Sequence, residues 1–198
     1  MSPVHPIREA GPAAALRRGL VENASFGMAL FVFTEVMLFA GFISAFVIVH
    51  SGSRTAWPPP GQPRLPAAQT ALNTVALLAS GVCLHRAGRK FRGPHPRAAA
   101  SWMGSALALA AFFVIFQGIE WLALLRQGMT LTSSQLGSFF YVIVGAHAIH
   151  AVAAIVALAV SWALLQAGRL TRSQLSAVQL FWYFVVLVWP FLYWKVYL

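Results

Sequence analysis

The chain has 198 residues, of which 59% are hydrophobic and only 9% are charged, and its mean hydropathy is +0.72. Soluble domains carry about 25% charged residues, so this composition excludes a water-exposed globular surface. The formal net charge of +10 would suit a nucleic-acid-binding protein, but the basic residues fall in short loops, which indicates topology signals and contacts with anionic lipid headgroups and no nucleic acid.

Five apolar runs are separated by polar, basic or Pro- and Gly-rich connections. A helix needs about 20 predominantly apolar residues to cross the hydrocarbon core of a membrane. The runs cover approximately residues 24–49, 67–85, 99–125, 136–166 and 177–198. We therefore predict an all-α fold, a polytopic membrane bundle of five transmembrane helices. Residues 1–22 would form a cytoplasmic N-terminal arm, and residues 23–198 the five-helix membrane domain.

The distribution of basic residues predicts the orientation of this bundle. Of the 14 Lys and Arg residues, ten lie in the N-terminal arm, the second loop and the fourth loop, which five spans place on one side of the membrane. Cytoplasmic loops carry an excess of Lys and Arg. The sequence thus predicts an N-terminus in the cytoplasm and a C-terminus outside.

The first predicted span contains a carboxylate, Glu35, about eleven residues from its start. At 1.5 Å per residue this is roughly 17 Å, near the middle of the membrane. An ionised, unpaired carboxylate at that depth costs several kcal/mol, so Glu35 should face protein, be protonated, or both. Two interpretations stay open: a neutral acid bonded to a neighbouring helix, or a group that handles protons or contacts another subunit.

The second and third spans also carry isolated polar side chains. Asn73 is placed to form a hydrogen bond to a neighbouring helix. Gln117 and Glu120 are one turn apart, so they can share a face and a hydrogen bond. Because Trp121 and Arg126 follow near the outer end of the span, Glu120 could form an ion pair at the membrane interface; a functional role for this acid is equally supported.

The fourth span places His147 and His150 on one face. Together with Glu35 and Glu120 they raise the possibility of a di-metal site in a helical bundle, but such sites use more carboxylates, arranged in Glu-x-x-His pairs. Bis-histidine haem needs imidazoles on opposite sides of the ring, and the lone Cys83 has no partner cysteine for a zinc or iron–sulfur site. We expect these histidines to form interhelical hydrogen bonds, to Glu35 or to a lipid headgroup.

The last span is rich in aromatic residues. Tyr193, Trp194 and Tyr197 at its end are typical of a belt at the membrane interface. Pro190 removes a backbone amide and predicts a kink. Because the chain has neither a Gly-rich phosphate loop nor a nucleophile with a plausible base, the sequence predicts no autonomous catalytic centre.

The chain resembles subunit III of the haem–copper oxidases, cytochrome c oxidase in particular, over nearly all of residues 24–198. The matching segments occur in the order of that family. They are FTEVMLFAGFISAF, AWPPP, LNTVALLASG, FQGIEW, GSFFYVIVGAHAIHAV and FWYFVVLVWPFLYWKVY. The resemblance is to the five-span form, which begins at what is the third helix of the seven-span mitochondrial form.

This resemblance implies a subunit with no redox centre, cofactor or catalytic residue of its own. Haem and copper would belong to partner subunits: the catalytic subunit I, with subunit II and other respiratory subunits nearby. The family binds phospholipids, supports proton uptake by subunit I and preserves the complex during turnover. Glu35 matches the family's intramembrane glutamate, Glu120 its Gln-x-x-Glu acid, and His147 and His150 its two histidines. High Ala and Arg usage favours a bacterial plasma membrane over the mitochondrial inner membrane.

One departure concerns the last helix, where the family usually carries a histidine and an aspartate and this chain carries Tyr183 and Val186. The electron donor, cytochrome c or quinol, stays open, as does an accessory subunit of a nitric oxide reductase. From another class comes a free-standing transporter or proton channel that uses Glu35 and the histidines. Transporters often show inverted repeats and broken helices, which are not evident in five spans.

Overall fold

The computed structural model describes residues 12–52, 65–93 and 96–197, and over these ranges the fold is entirely helical. Five long helices are followed by one turn of π-helix. They are α1 (Pro12–Gly52), α2 (Ala67–Arg92), α3 (Pro96–Arg126), α4 (Gln135–Gln166), α5 (Arg172–Leu192) and the π-helical turn Tyr193–Tyr197. All five are long and apolar enough to span a membrane. This confirms the predicted all-α, five-helix fold, whereas the orientation stays a prediction.

Three helices begin or end five or more residues away from the predicted bounds of their spans. Helix α2 continues past residue 85 to Arg92, because Lys and Arg are good helix formers and favour the negative end of a helix dipole. Helix α5 begins at Arg172 rather than at 177, since Thr171 and Gln174 form a reciprocal capping box. Helix α1 begins inside the predicted arm, at Pro12; residues 1–11 and the AWPPP loop lie outside the described residues.

Glycines end α3 and α4 in the same way. Gly128 and Gly168 adopt positive φ angles of 85° and 68°, which L-residues with a side chain rarely adopt. The backbone N–H of the residue after each glycine donates a hydrogen bond to a carbonyl oxygen in the last turn of the helix. Met129 donates to Leu124, and Arg169 donates to Leu164. These Schellman motifs turn the chain sharply and set α3, α4 and α5 side by side.

Helix α5 lies at the centre of the bundle and packs against α1, α2 and α4. Its side chains Trp182 and Trp189 are fully buried. Their indole N–H groups donate to hydroxyl oxygens of α2, Ser80 at 3.1 Å and Thr74 at 2.8 Å. In contrast, α1 is peripheral. Of the residues in the apolar 18-residue stretch of each helix, 11% are buried in α1 and 56% in α5. The face of α1 that α5 leaves uncovered must meet lipid or another protein.

Candidate functional site

Glu35 on α1 and His150 on α4 lie in direct contact. Glu35 Oε2 is 3.0 Å from His150 Nε2, and both side chains are 16% exposed. Within the described residues Glu35 Oε2 makes no hydrogen bond, so the contact is a close ion-pair-like approach. The structure therefore confirms that the mid-helix carboxylate faces protein, and it supplies the partner that the sequence suggested.

A hydrogen bond on the other side of the His150 ring determines which ring nitrogen carries a proton. Nδ1 lies 2.7 Å from the carbonyl oxygen of Ala146; since a carbonyl oxygen only accepts, Nδ1 carries a proton and donates it. Nε2 is then an acceptor in the neutral ring and a donor in the imidazolium. Nε2 is therefore the ring nitrogen that faces the Glu35 carboxylate and the one that differs between the two forms of the ring.

Aromatic rings pack against the histidine of this pair and against His147. Phe39 contacts His147 and His150, with ring centroids 6.2 and 5.6 Å apart, and Phe184 lies 6.0 Å from His150. His147 is 1% exposed and packs against Trp189 at 5.0 Å. The predicted common face of the two histidines is confirmed, but only His150 reaches a carboxylate.

A second cluster forms around Glu120, where α2, α3 and the π-helical turn meet. Glu120 Oε2 accepts hydrogen bonds from Thr70 at 2.9 Å and from Gln117 at 3.1 Å. The Gln117 amide also donates to the Tyr197 hydroxyl at 2.9 Å. Thus Gln117 and Glu120 do share a face, as predicted, and their network joins three elements.

The alternative of an interfacial ion pair for Glu120 is wrong within the described residues. Glu120 is 5% exposed and takes its hydrogen bonds from neutral donors, while the basic side chain of Arg126 lies beyond it in the exposed last turn of α3. Burial between helices explains the difference, because a side chain enclosed by three elements cannot extend to the interface. Asn73 bonds across helices as predicted, donating to the carbonyl oxygen of Phe113 at 3.0 Å.

Sequence reasoning missed two members of the Glu120 cluster. Thr70 resembles any threonine in an apolar helix, whose hydroxyl commonly returns to its own backbone. The sequence predicts Tyr197 in an interface belt, which is wrong: the side chain is 9% exposed and its hydroxyl accepts a hydrogen bond from the buried Gln117. Its position depends on the π-helical turn after Pro190, and the proline was the one signal in the sequence that regular helix would end there.

The two departures from the family pattern have structural explanations. Tyr183 accepts a hydrogen bond from the Gln179 amide at 3.2 Å, and Gln179 also bonds the Leu84 carbonyl and the Arg92 guanidinium. Val186 is 5% exposed and lies against Gly81 of α2. An aspartate at position 186 would place a buried charge against the backbone of Gly81. In this chain, close apolar packing between α2 and α5 takes the place of the family's histidine and aspartate.

The predicted site residues thus divide into two clusters, Glu35–His150 and Glu120–Gln117, with Asn73 bonding separately and His147 between them. Among the residues that the structure describes, no three His, Cys, Asp or Glu side chains converge in a way that could hold a metal ion.

Comparison with known proteins places this arrangement in context. A family model described as cytochrome c oxidase subunit III matches residues 9–198. Cytochrome c oxidase subunit 3 of Synechocystis sp. is 32% identical over 177 residues, which cover 87% of this chain and 74% of the relative. The probable cytochrome c oxidase subunit 3 of Nocardia farcinica is 29% identical over 87% of this chain and 86% of its own length. The mitochondrial-type sequence of Dasypus novemcinctus, also a cytochrome c oxidase subunit 3, is 32% identical, with 87% and 68% covered.

Proposed function

This chain belongs to the cytochrome c oxidase subunit III family, and we propose that it supports the haem–copper subunit of its oxidase from within the bacterial plasma membrane. It is a membrane subunit of a terminal oxidase, and in this family subunit III is non-catalytic. Oxygen reduction, haem and copper then belong to partners, subunit I and subunit II, and this chain contributes stability, lipid contacts and proton supply.

The observation that carries this proposal is the Glu35–His150 pair. It links the peripheral helix α1 to α4, which otherwise contact each other little. A carboxylate and an imidazole in contact inside a membrane are two groups that can each bind and release a proton. This is the property that a support subunit needs near the proton-uptake path of a catalytic partner.

An apolar groove between α1 and α5 is the expected position of a bound phospholipid chain. The groove has a volume of about 490 Å³. Val36 and Ile43 of α1 line one wall, and Leu187 and Phe191 of α5 line the other. A lipid chain in this groove would increase the buried area of α1, which packs against protein over a small part of its surface.

A deletion and complementation experiment tests the proposed role. The gene for this chain is removed from its bacterium and restored, and membranes are assayed for oxygen consumption with reduced cytochrome c and, separately, with a quinol. We expect deletion to leave haem–copper enzyme that starts at a normal rate and loses activity faster during turnover. Oxygen consumption that is unchanged in rate and durability would contradict the proposal, and the donor that drives the complemented activity identifies the oxidase type.

A further inference from the structure

Three side chains that carry unpartnered polar atoms, two of them buried and Trp121 partly buried, line one small cavity between α3 and α4, next to Trp189 of α5. The cavity has a volume of about 150 Å³, and Gln117, Trp121 and His147 are part of its lining. Within the described residues, both ring nitrogens of His147, Oε1 of Gln117 and Nε1 of Trp121 have no hydrogen-bond partner. Gln117 and His147 are only 5% and 1% exposed. Buried polar atoms in native proteins are nearly always hydrogen-bonded, to protein or to ordered water.

The Glu120 cluster fixes which end of Gln117 faces the cavity. The Gln117 nitrogen donates both of its hydrogens, to Glu120 Oε2 and to the Tyr197 hydroxyl. The reversed amide would place Oε1 against a carboxylate oxygen and lose the bond to Glu120, whereas the Tyr197 hydroxyl can bond to either end of the amide. The carbonyl oxygen is therefore the atom available to a ligand in the cavity.

The side chains around the cavity offer both hydrogen-bond donors and acceptors, as a bound water molecule requires. Neutral His147 offers one N–H and one nitrogen acceptor, Trp121 offers an N–H, and Gln117 offers an oxygen acceptor. One water can donate two hydrogen bonds and accept two, and a buried water typically makes about three. Because no Lys, Arg, Asp or Glu side chain lines the cavity, a charged headgroup would find no counter-charge there.

We propose that this cavity is an internal hydration site, in which one or two water molecules bridge His147 of α4 to Gln117 and Trp121 of α3. The volume accommodates this number, since a water occupies about 30 Å³ in the liquid. The remaining lining is apolar, so water is held only at the polar atoms. This site extends the Glu120 cluster to His147 through water and is independent of the oxidase role proposed above.

High-resolution cryo-electron microscopy of the intact purified complex in a lipid nanodisc tests the proposal. We expect one or two water peaks within about 2.6–3.2 Å of a His147 nitrogen and of Gln117 Oε1. Trp182, which does not line this cavity, is an internal control, because its indole N–H group already donates to Ser80 and should show no water. Continuous lipid density in the cavity, or no peak there while waters elsewhere in this subunit are resolved, would overturn the proposal.

A second measurement does not depend on map quality. The ultraviolet resonance Raman difference between the parent protein and Trp121→Phe isolates the indole N–H of Trp121. We expect the band position of a hydrogen-bonded indole, and a shift to the non-bonded position in His147→Phe, which keeps a ring of similar size and removes two of the four polar atoms. A non-bonded band in the parent protein would refute a water at Trp121, whatever the donor or activity of the complex.

Discussion

Removal of the Glu35 carboxylate should destabilise the bundle through its contact with His150. At the observed 3.0 Å, two opposite unit charges interact by about 5.5 kcal/mol at an effective dielectric constant of about 20. Desolvation of both groups offsets most of this energy, and measured polar contacts between membrane helices average about 0.6 kcal/mol and reach about 1.7. Within the described residues the pair makes no hydrogen bond, so we expect a net coupling of about 1 kcal/mol.

The assay is a double-mutant cycle of Glu35→Ala, His150→Ala and the double variant. The rate of irreversible activity loss of the purified oxidase during turnover is measured for each, with membrane insertion and initial rate as controls. A coupling of about 1 kcal/mol corresponds to about a five-fold change in rate. We expect each single variant to lose activity about five-fold faster and the double variant to be little worse than either one.

The matched variant Glu35→Gln separates charge from packing. The carboxamide keeps the shape of the side chain and can donate to His150 Nε2, but it cannot share a proton. We expect a smaller loss of durability than in Glu35→Ala. Strictly additive effects of Glu35→Ala and His150→Ala would refute the reasoning, because they would show that the two side chains do not stabilise each other.

Three further outcomes are expected. Thr70→Val removes a hydroxyl donor from the buried Glu120 carboxylate and should lower stability by about 1–3 kcal/mol, measured as thermal unfolding of the purified complex by tryptophan fluorescence. Gly88→Ala would place a Cβ atom onto the side-chain amide of Gln179, so this amide must move away from Leu84 and Arg92, and a decrease of about 1–3 kcal/mol is expected in the same assay. Lys90→Cys, in a background without the native cysteine, should resist membrane-impermeant thiol reagents added outside intact cells; ready labelling from outside would reverse the predicted orientation.

Two substitutions serve as controls for the stability measurements. The Thr34 hydroxyl bonds only to the Phe31 carbonyl of its own exposed helix turn, so Thr34→Val should change stability by less than about 0.5 kcal/mol. A Cβ atom at Gly27 would meet nothing within 4 Å, so Gly27→Ala should be neutral or slightly stabilising. If either control destabilised as much as Thr70→Val or Gly88→Ala, the specific contacts at Glu120 and Gln179 would not be the cause.

Helical spacing and membrane chemistry predicted much of the site. A separation of three residues places Gln117 beside Glu120, and His147 on the same face as His150, in any helix. The cost of an unpaired carboxylate in a membrane predicted that Glu35 would face protein. These inferences depend on local geometry alone, so they needed no knowledge of which helices are neighbours.

The remaining contacts depend on tertiary packing, which the spacing does not encode. Whether Glu120 meets Thr70 or Arg126 depends on how α2 packs against α3, and close packing favoured the hydroxyl. Tyr197 turns inward because a π-helical turn changes the register after Pro190. Val186 could be understood only once its contact with Gly81 was visible. The sequence thus predicted which groups require partners, and the packing of the bundle determined which partners they have.

Affinity purification of this chain in a mild detergent tests the central claim most directly. A tag placed on the chain is used for isolation, and a reduced-minus-oxidised absorption spectrum of the product is recorded. Membership of a terminal oxidase predicts co-purification of a haem-containing partner with a haem spectrum that disappears when that partner is removed. A haem-free homo-oligomer as the main product would contradict the account and would favour a free-standing transporter.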